Sequence, residues 1–345
     1  VTGLAVLAGA AVLAACSKPP LKPNGFVALS RVSPAAPARV VAVATVLGPS
    51  APATTERVPS ACPSGTTTAG GGIADTLIGG ATPPSSLHAD GSAPTSATGR
   101  APARSGSVLS GWVAVGATGG QLVLGGATTS YAMCVHGTAL GRPSVVAATV
   151  PGPAVAATTA RATASCPAGE LVVGGGGLAA VTKGSASPSL RVVGSFPSDA
   201  HGAAVKDSAG DPAAWSAIAD AGGRTGTGVE TSAFAVCVSA ARAHTVVARR
   251  STPGPLPAST ATPTTAGCPG TAELLSGGAD TGPASGATPQ QGLHLTGSFP
   301  SDAKGIGPGS ARVGKLVNSW TARAESGGQG SPAGTVTTAF ALCLR

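Results

Sequence analysis

One pattern written three times constrains this chain more than any other feature. Leu87-His88-Ala89-Asp90-Gly91-Ser92-Ala93-Pro94 aligns with Leu190-Arg191-Val192-Val193-Gly194-Ser195-Phe196-Pro197 and with Leu293-His294-Leu295-Thr296-Gly297-Ser298-Phe299-Pro300, each copy 103 residues after the last. Trp112, Trp215 and Trp320, all of the chain's tryptophans, follow at intervals of 103 and 105 residues. Self-similarity at a fixed period must be recognised before any fold is assigned, because each repeat is then one structural unit. Three units follow, over residues 39–140, 141–243 and 244–345, the first the most divergent.

The cysteines obey the same period. Cys62, Cys166 and Cys268 each precede proline and lead into a glycine-rich stretch; Cys134, Cys237 and Cys343 each sit in an apolar closing segment, SYAMCV, AFAVCV and AFALCL. Six cysteines allow 15 pairings, and repetition selects Cys62–Cys134, Cys166–Cys237 and Cys268–Cys343, with separations of 72, 71 and 75 residues. In the chain-entropy account a loop of that size stabilises a module by about 4 kcal/mol. Neither CxxC pairs nor a CxxCH motif is present, so no metal or haem is expected to hold these thiols.

Within a repeat the apolar residues alternate with period two. Trp112-Val113-Ala114-Val115, Trp215-Ser216-Ala217-Ile218-Ala219 and Trp320-Thr321-Ala322-Arg323-Ala324 place Trp and Ala on one face. The closing segment is apolar on both faces (Phe234, Val236 and Val238 against Ala235 and Cys237), which marks a central strand. Further strands are expected at 145–150, 162–165, 170–173 and 190–193. With 52 Gly and 30 Pro in 345 residues and 10% charged side chains, turns are plentiful and helix formers scarce. The expected fold is all-β: three tandem β-sandwich-like modules of about six strands, each a globule closed by its own disulfide and touching its neighbours.

Cys-Pro and the glycine cluster, a strand ending in Ser-Phe-Pro, tryptophan with alternating alanines, and Ala-Phe-Ala-x-Cys together resemble a module of many secreted actinobacterial proteins. That resemblance covers nearly all of residues 40–345 and implies export and β structure, with no activity attached. Ahead of the modules, residues 4–15 read LAVLAGAAVLAA, too short to span a bilayer as a helix and of the length of a signal-peptide core. Leu13-Ala14-Ala15-Cys16 is similar to the lipobox of bacterial lipoproteins. This implies cleavage of residues 1–15, a diacylglycerol on the Cys16 thiol and display on the outer face of the cell membrane. Two acyl chains give stable attachment. Residues 16–38, rich in proline, read as an extended tether.

The formal net charge is +8, but no basic run with interleaved aromatics exists, which argues against nucleic acid. Lys18, Lys22, Arg31 and Arg39 all precede the first acid, Glu56, so attraction of the start to anionic lipid or wall polymer is the milder expectation. The best-shared polar motif, Ser195-Phe196-Pro197-Ser198-Asp199 with Ser298-Phe299-Pro300-Ser301-Asp302, is a candidate ligand loop, with Asp199 and Asp302 presenting carboxylates. Pro, Asp and Gly in that order also describe a tight turn. His201 lies beside Ser198 and Asp199 but becomes Lys304 in the third repeat, and no GxSxG elbow accompanies it. His88, Arg191 and His294 occupy one repeat position, expected on a solvated strand face. The glycine clusters at 70–72, 174–177 and 277–278 lack a phosphate-loop signature and suit strand bulges or close strand packing. No catalytic residue and no cofactor is assigned. The expected role is a non-catalytic envelope lipoprotein, a spacer or multivalent binder of an unknown protein or glycan; the alternative is an exported wall-directed hydrolase using one divergent module.

Overall fold

A computed structural model describes residues 39–78, 86–96, 99, 102–136, 140–183, 189–223, 227–239, 244–283, 292–308, 317–328 and 330–345. The signal-peptide and tether readings, and Cys16 with them, lie outside the described residues.

Each repeat contributes six strands and, among the described residues, no helix. Module 1 holds β1 (Val40–Leu47), β2 (Thr55–Ala61), β3 (Thr66–Leu77), β4 (Leu87–Thr95), β5 (Gly111–Thr118) and β6 (Gly126–His136). Module 2 holds β7 (Ser144–Pro151), β8 (Thr158–Ser165), β9 (Leu171–Val181), β10 (Leu190–Ser198), β11 (Ala214–Ala221) and β12 (Val229–Val238). Module 3 holds β13 (Thr245–Pro253), β14 (Ala261–Gly267), β15 (Glu273–Pro283), β16 (His294–Ser301), β17 (Ser319–Glu325) and β18 (Thr335–Leu344).

Within a module the strands form two three-stranded layers. In module 1 these run β1-β6-β3 and β2-β5-β4, with the closing strand β6 central as its two apolar faces require. The layers pack face to face: Trp112 of β5 lies against Gly71 of β3, where an added Cβ would come within 2.4 Å of the indole. Trp215 on Gly175 and Trp320 on Gly277 repeat the contact, and all three indoles are fully buried. Cys62–Cys134, Cys166–Cys237 and Cys268–Cys343 are disulfides, each joining one layer to the other.

The modules are nevertheless not separate globules, and here the structure corrects the sequence expectation. Each layer continues into a neighbour's, giving three six-stranded sheets: β1-β6-β3-β16-β17-β14, β13-β18-β15-β10-β11-β8 and β2-β5-β4-β9-β12-β7. The joints are antiparallel and equivalent, with Gly297 opposite Ala74, Gly194 opposite Asp280 and Gly91 opposite Leu178. Module 1 pairs with module 3 as well as with module 2, so the ring is closed. A free edge strand is open to mispairing, and the closure covers the inner edges β3, β4, β9, β10, β15 and β16.

The glycine triplet explains how three layers meet. Its first position, Gly70, Gly174 or Ser276, lies at the common axis: a Cβ on Gly70 would fall 2.1 Å from Ser276 Oγ and one on Gly174 2.2 Å from the Ala69 carbonyl. The second seats the tryptophan. The third admits the neighbour's backbone, since a Cβ on Gly72, Gly176 or Gly278 would fall 2.1–2.4 Å from the carbonyl oxygen of Ser298, Ser92 or Ser195. Ala69, Val173 and Leu275 are the extra residues of the bulges beside it. Along the axis the packing leaves a void of only about 20 Å³, lined by residues of all three modules.

Because every pairing is antiparallel, the strand ends gather at two poles roughly 25 Å apart, the length of an eight-residue strand. The disulfides, Arg39 and Arg345 are at one pole. At the other are the β1–β2, β3–β4 and β5–β6 tips with their counterparts. Each module also has a cis Gly-Pro bond there, at Gly48-Pro49, Gly152-Pro153 and Gly254-Pro255.

Candidate functional site

The shared Ser-Phe-Pro-Ser-Asp motif closes β10 and β16 at the disulfide pole. Ser195 Oγ accepts the Trp215 indole N–H at 3.0 Å, and Ser298 Oγ does the same for Trp320. Phe196 and Phe299 are buried and stack on rings of the adjoining module: Phe196 on Phe340 with centroids 5.6 Å apart, Phe299 on Tyr131 at 5.8 Å. Asp199 Oδ1 accepts the backbone N–H groups of His201 and Ala203, both at 2.9 Å, while Asp302 Oδ1 accepts those of Lys304 and Ile306. Gly202 and Gly305 follow at φ +83° and +78°, as such a turn requires. The four inward side chains thus hold the indoles and the inter-module joint, and the two carboxylates hold their own turns.

His88, Arg191 and His294 are not solvated, contrary to the sequence expectation. They converge near the axis at the tip pole and are 4%, 7% and 1% exposed. Sheet sharing brings them there, because β4, β10 and β16 are inner strands once the ring closes. Both His88 nitrogens face carbonyl oxygens, Ser86 at 3.1 Å and Leu190 at 3.0 Å. The Asp90 carboxylate stands 3.5 Å away. Arg191 donates from Nη2 and Nε to Asp220 Oδ2 at 2.9 and 3.3 Å. Burial, with the positive charges of Arg191 and His88, pushes His294 down to about 3, so its neutral ring donates from Nδ1 to the Gly292 carbonyl at 2.8 Å.

Buried acids accompany these groups. Thr128 Oγ1 lies 3.0 Å from the Gly48 carbonyl and 2.8 Å from Asp75 Oδ1. A hydroxyl has one proton, and its counterparts Thr231 and Thr337 donate theirs to the carbonyls of Gly152 and Gly254. Thr128 can direct its own to the Gly48 carbonyl or to Asp75 Oδ1, and it is the donor in both contacts. Burial pushes the Asp75 carboxyl up to about 8, against the pull of the Thr128 bond and Arg323. Burial likewise raises Glu325 to about 8 despite Arg323, and raises Asp220 despite Arg191. Sequence reading missed this set; the only available signal was the presence of acids within otherwise apolar strands.

An open groove of about 310 Å³ crosses the sheet where modules 1 and 3 join. Thr45, Thr129, Tyr131, Phe299, Gly307 and Arg323 line it. Thr45 and Thr129 share a 2.9 Å hydrogen bond, and burial pushes the Tyr131 phenol up to about 12, so it is a hydrogen-bonding group rather than a base at neutral pH. Hydroxyls, a guanidinium and an aromatic edge can bind a polyol, but among the described residues that line the groove there is no paired nucleophile and base. Among the described residues no group of three or more His, Cys, Asp or Glu is placed to hold a metal ion, and no helix is long and apolar enough to cross a membrane. No family model matches the chain, and no curated protein matches it.

Proposed function

We propose that the chain is a non-catalytic, lipid-anchored protein of the cell envelope whose three-module ring serves as a rigid display and binding head. Diacylglycerol on Cys16 would hold it to the outer face of the membrane through residues 16–38, with anionic lipid or wall polymer attracted to the basic start. The observation that carries the non-catalytic reading is the fate of the shared acids. Asp199 and Asp302 are spent on the backbone of their own turns, while Asp75, Asp220 and Glu325 are buried within the ring. A general acid or base must reach a substrate; the three buried acids do not, and Asp199 and Asp302 each commit one carboxylate oxygen to holding a turn. The groove beside Tyr131 and Phe299 suits a neutral glycan unit, and repetition within one body favours multivalent contact.

Two measurements test the reading. Intact-mass analysis of the N-terminal peptide should find a diacylglyceryl group on Cys16, lost with Cys16→Ser; an unmodified Cys16 overturns the anchor. The purified chain should sediment with insoluble wall glycan without releasing soluble fragments. Fragment release that disappears with Asp199→Asn or Asp302→Asn would establish the hydrolase instead.

A further inference from the structure

We propose that the pole opposite the disulfides docks on the hydrocarbon of a lipid layer, inserting the aliphatic tips of module 1. Three tips of that module lie side by side. Leu47 ends β1, Ile78 follows β3, and Leu122 and Leu124 sit in the β5–β6 connection; they are 69%, 64%, 60% and 77% exposed. Val155 and Leu256 protrude from the β7–β8 and β13–β14 tips at the same pole, 64% and 42% exposed. Scattered single apolar residues need no explanation, whereas a contiguous group does.

These side chains are held outward. Between Leu122 and Leu124, Val123 is 1% exposed and plugs the end of the module. Its N–H donates to the Ser50 carbonyl at 2.9 Å, Ile78 N–H to Gly125 at 2.8 Å, Gly48 N–H to Gly126 at 2.8 Å and Gly119 N–H to Ser86 at 2.7 Å. The three tips are thereby tied into one another, and the alternation about Val123 leaves both leucines pointing away from the body. The corresponding stretches of the other repeats are Gly-Gly-Arg-Thr-Gly-Thr-Gly and Ser-Gly-Gly-Gln-Gly-Ser-Pro-Ala-Gly, with no large apolar residue. The feature belongs to module 1.

Charge selects the occupant. Among the described residues, the tips at this pole carry one ionisable side chain of their own, Lys183, and the Glu56 carboxylate reaches the β1–β2 tip beside Gly48. The disulfide pole carries Arg104, Glu170, Asp199, His201 and Lys304 in its connections. A charge in hydrocarbon is costly, so a surface that enters lipid must be nearly free of charge. A protein partner would call for aromatic or arginine anchors, which dominate such interfaces, and the described tips have neither. Separate aliphatic prongs need no shaped partner; fluid acyl chains close around them. The proposal does not depend on acylation of Cys16.

The test uses the full chain with Cys16→Ser, which removes any acyl anchor, and neutral phosphatidylcholine vesicles. An environment-sensitive fluorophore is placed at Leu124→Cys or, as the control, at Val108→Cys, which is 76% exposed on the β4–β5 connection at the disulfide pole. Labelled chains whose melting temperature matches the parent's are compared. The 124 probe should shift to the blue with vesicles and be quenched by acyl-chain quenchers, while the 108 probe should stay unchanged. Adding Leu122→Ser should raise the half-saturating lipid concentration for the 124 signal about tenfold, the effect of losing one apolar side chain from the contact. Equal responses at both positions, or none at 124, overturn the proposal. So does a 124 shift that depends on protein concentration without lipid, which would make the occupant a second copy of the chain.

Discussion

Gly278→Ala should damage the molecule far more than the same change four residues along the same strand. A Cβ at Gly278 would lie 2.3 Å from the Ser195 carbonyl oxygen and 2.8 Å from Phe196 Cα. Both are backbone atoms of the neighbouring module, so no side chain can rotate to make room. Relief requires β15 and β10 to part, which disturbs the joint at Gly194–Asp280 and Ser195–Ala279 and the Phe196–Phe340 stack beside it. Overpacking against flexible surroundings costs about 1–3 kcal/mol; against backbone on a shared sheet the upper end, about 3 kcal/mol, is expected. At about 2 °C per kcal/mol for a body of this size, the melting temperature should fall by about 6 °C. At Gly282 a Cβ would meet nothing within 4 Å, and alanine there should be neutral or stabilise by about 0.4–1 kcal/mol through the unfolded chain. Thermal unfolding of both variants under non-reducing conditions reads the difference. If Gly278→Ala and Gly282→Ala melt within 1 °C of each other, the glycine triplet does not admit the neighbouring module and the joint has been misread.

The tryptophan latch should differ between modules. Ser195→Ala and Ser298→Ala each strand a buried indole N–H and should cost about 1–3 kcal/mol by urea unfolding, whereas Trp112 Nε1 already lacks a partner and Ser92→Ala should cost under about 0.5 kcal/mol. Stability should fall as pH rises from 6.5 to 9. Asp75 and Glu325 have folded values near 8, above their unfolded ones, so their contribution is full below the unfolded values and is lost as pH passes the folded ones, on the order of 4 kcal/mol for the pair over that window. Asp75→Asn should flatten the urea-midpoint profile, while His294, held down to about 3, should weaken the fold only on the acid side of its unfolded value. Reducing all three disulfides should lower the midpoint sharply, since each closes a loop of 71 to 75 residues worth about 4 kcal/mol; an unchanged midpoint in reductant would remove them from the account.

Much of a module could be read from the chain, because strand alternation, turn residues and cysteine spacing are local or periodic. The closing segment AFAVCV, apolar on both faces, is central in its layer, and the Trp/Ala face is buried. What could not be read was which strand edges pair between modules. Hydrophobic alternation says which face of β3 is buried and nothing about whether its edge meets the same repeat or another. Gly72, Gly176 and Gly278 carried that information, yet a glycine that seats an indole and one that admits a foreign backbone are alike in sequence. The buried charges follow from the same gap: His88, Arg191 and His294 belong on a solvated face in an isolated module and near the axis in a closed ring. The shared Ser-Phe-Pro-Ser-Asp motif was legible as a repeated unit, but its serine role depends on the next strand's Trp215 and its phenylalanine roles on Phe340 and Tyr131, which belong to other modules.

Scanning calorimetry of the oxidised chain tests the ring most directly, by the ratio of van't Hoff to calorimetric enthalpy. Three modules sharing three sheets should unfold together, in one transition with a ratio near 1. A ratio near one third, or three resolved transitions, would mean that the repeats melt separately and that the sheets are not shared.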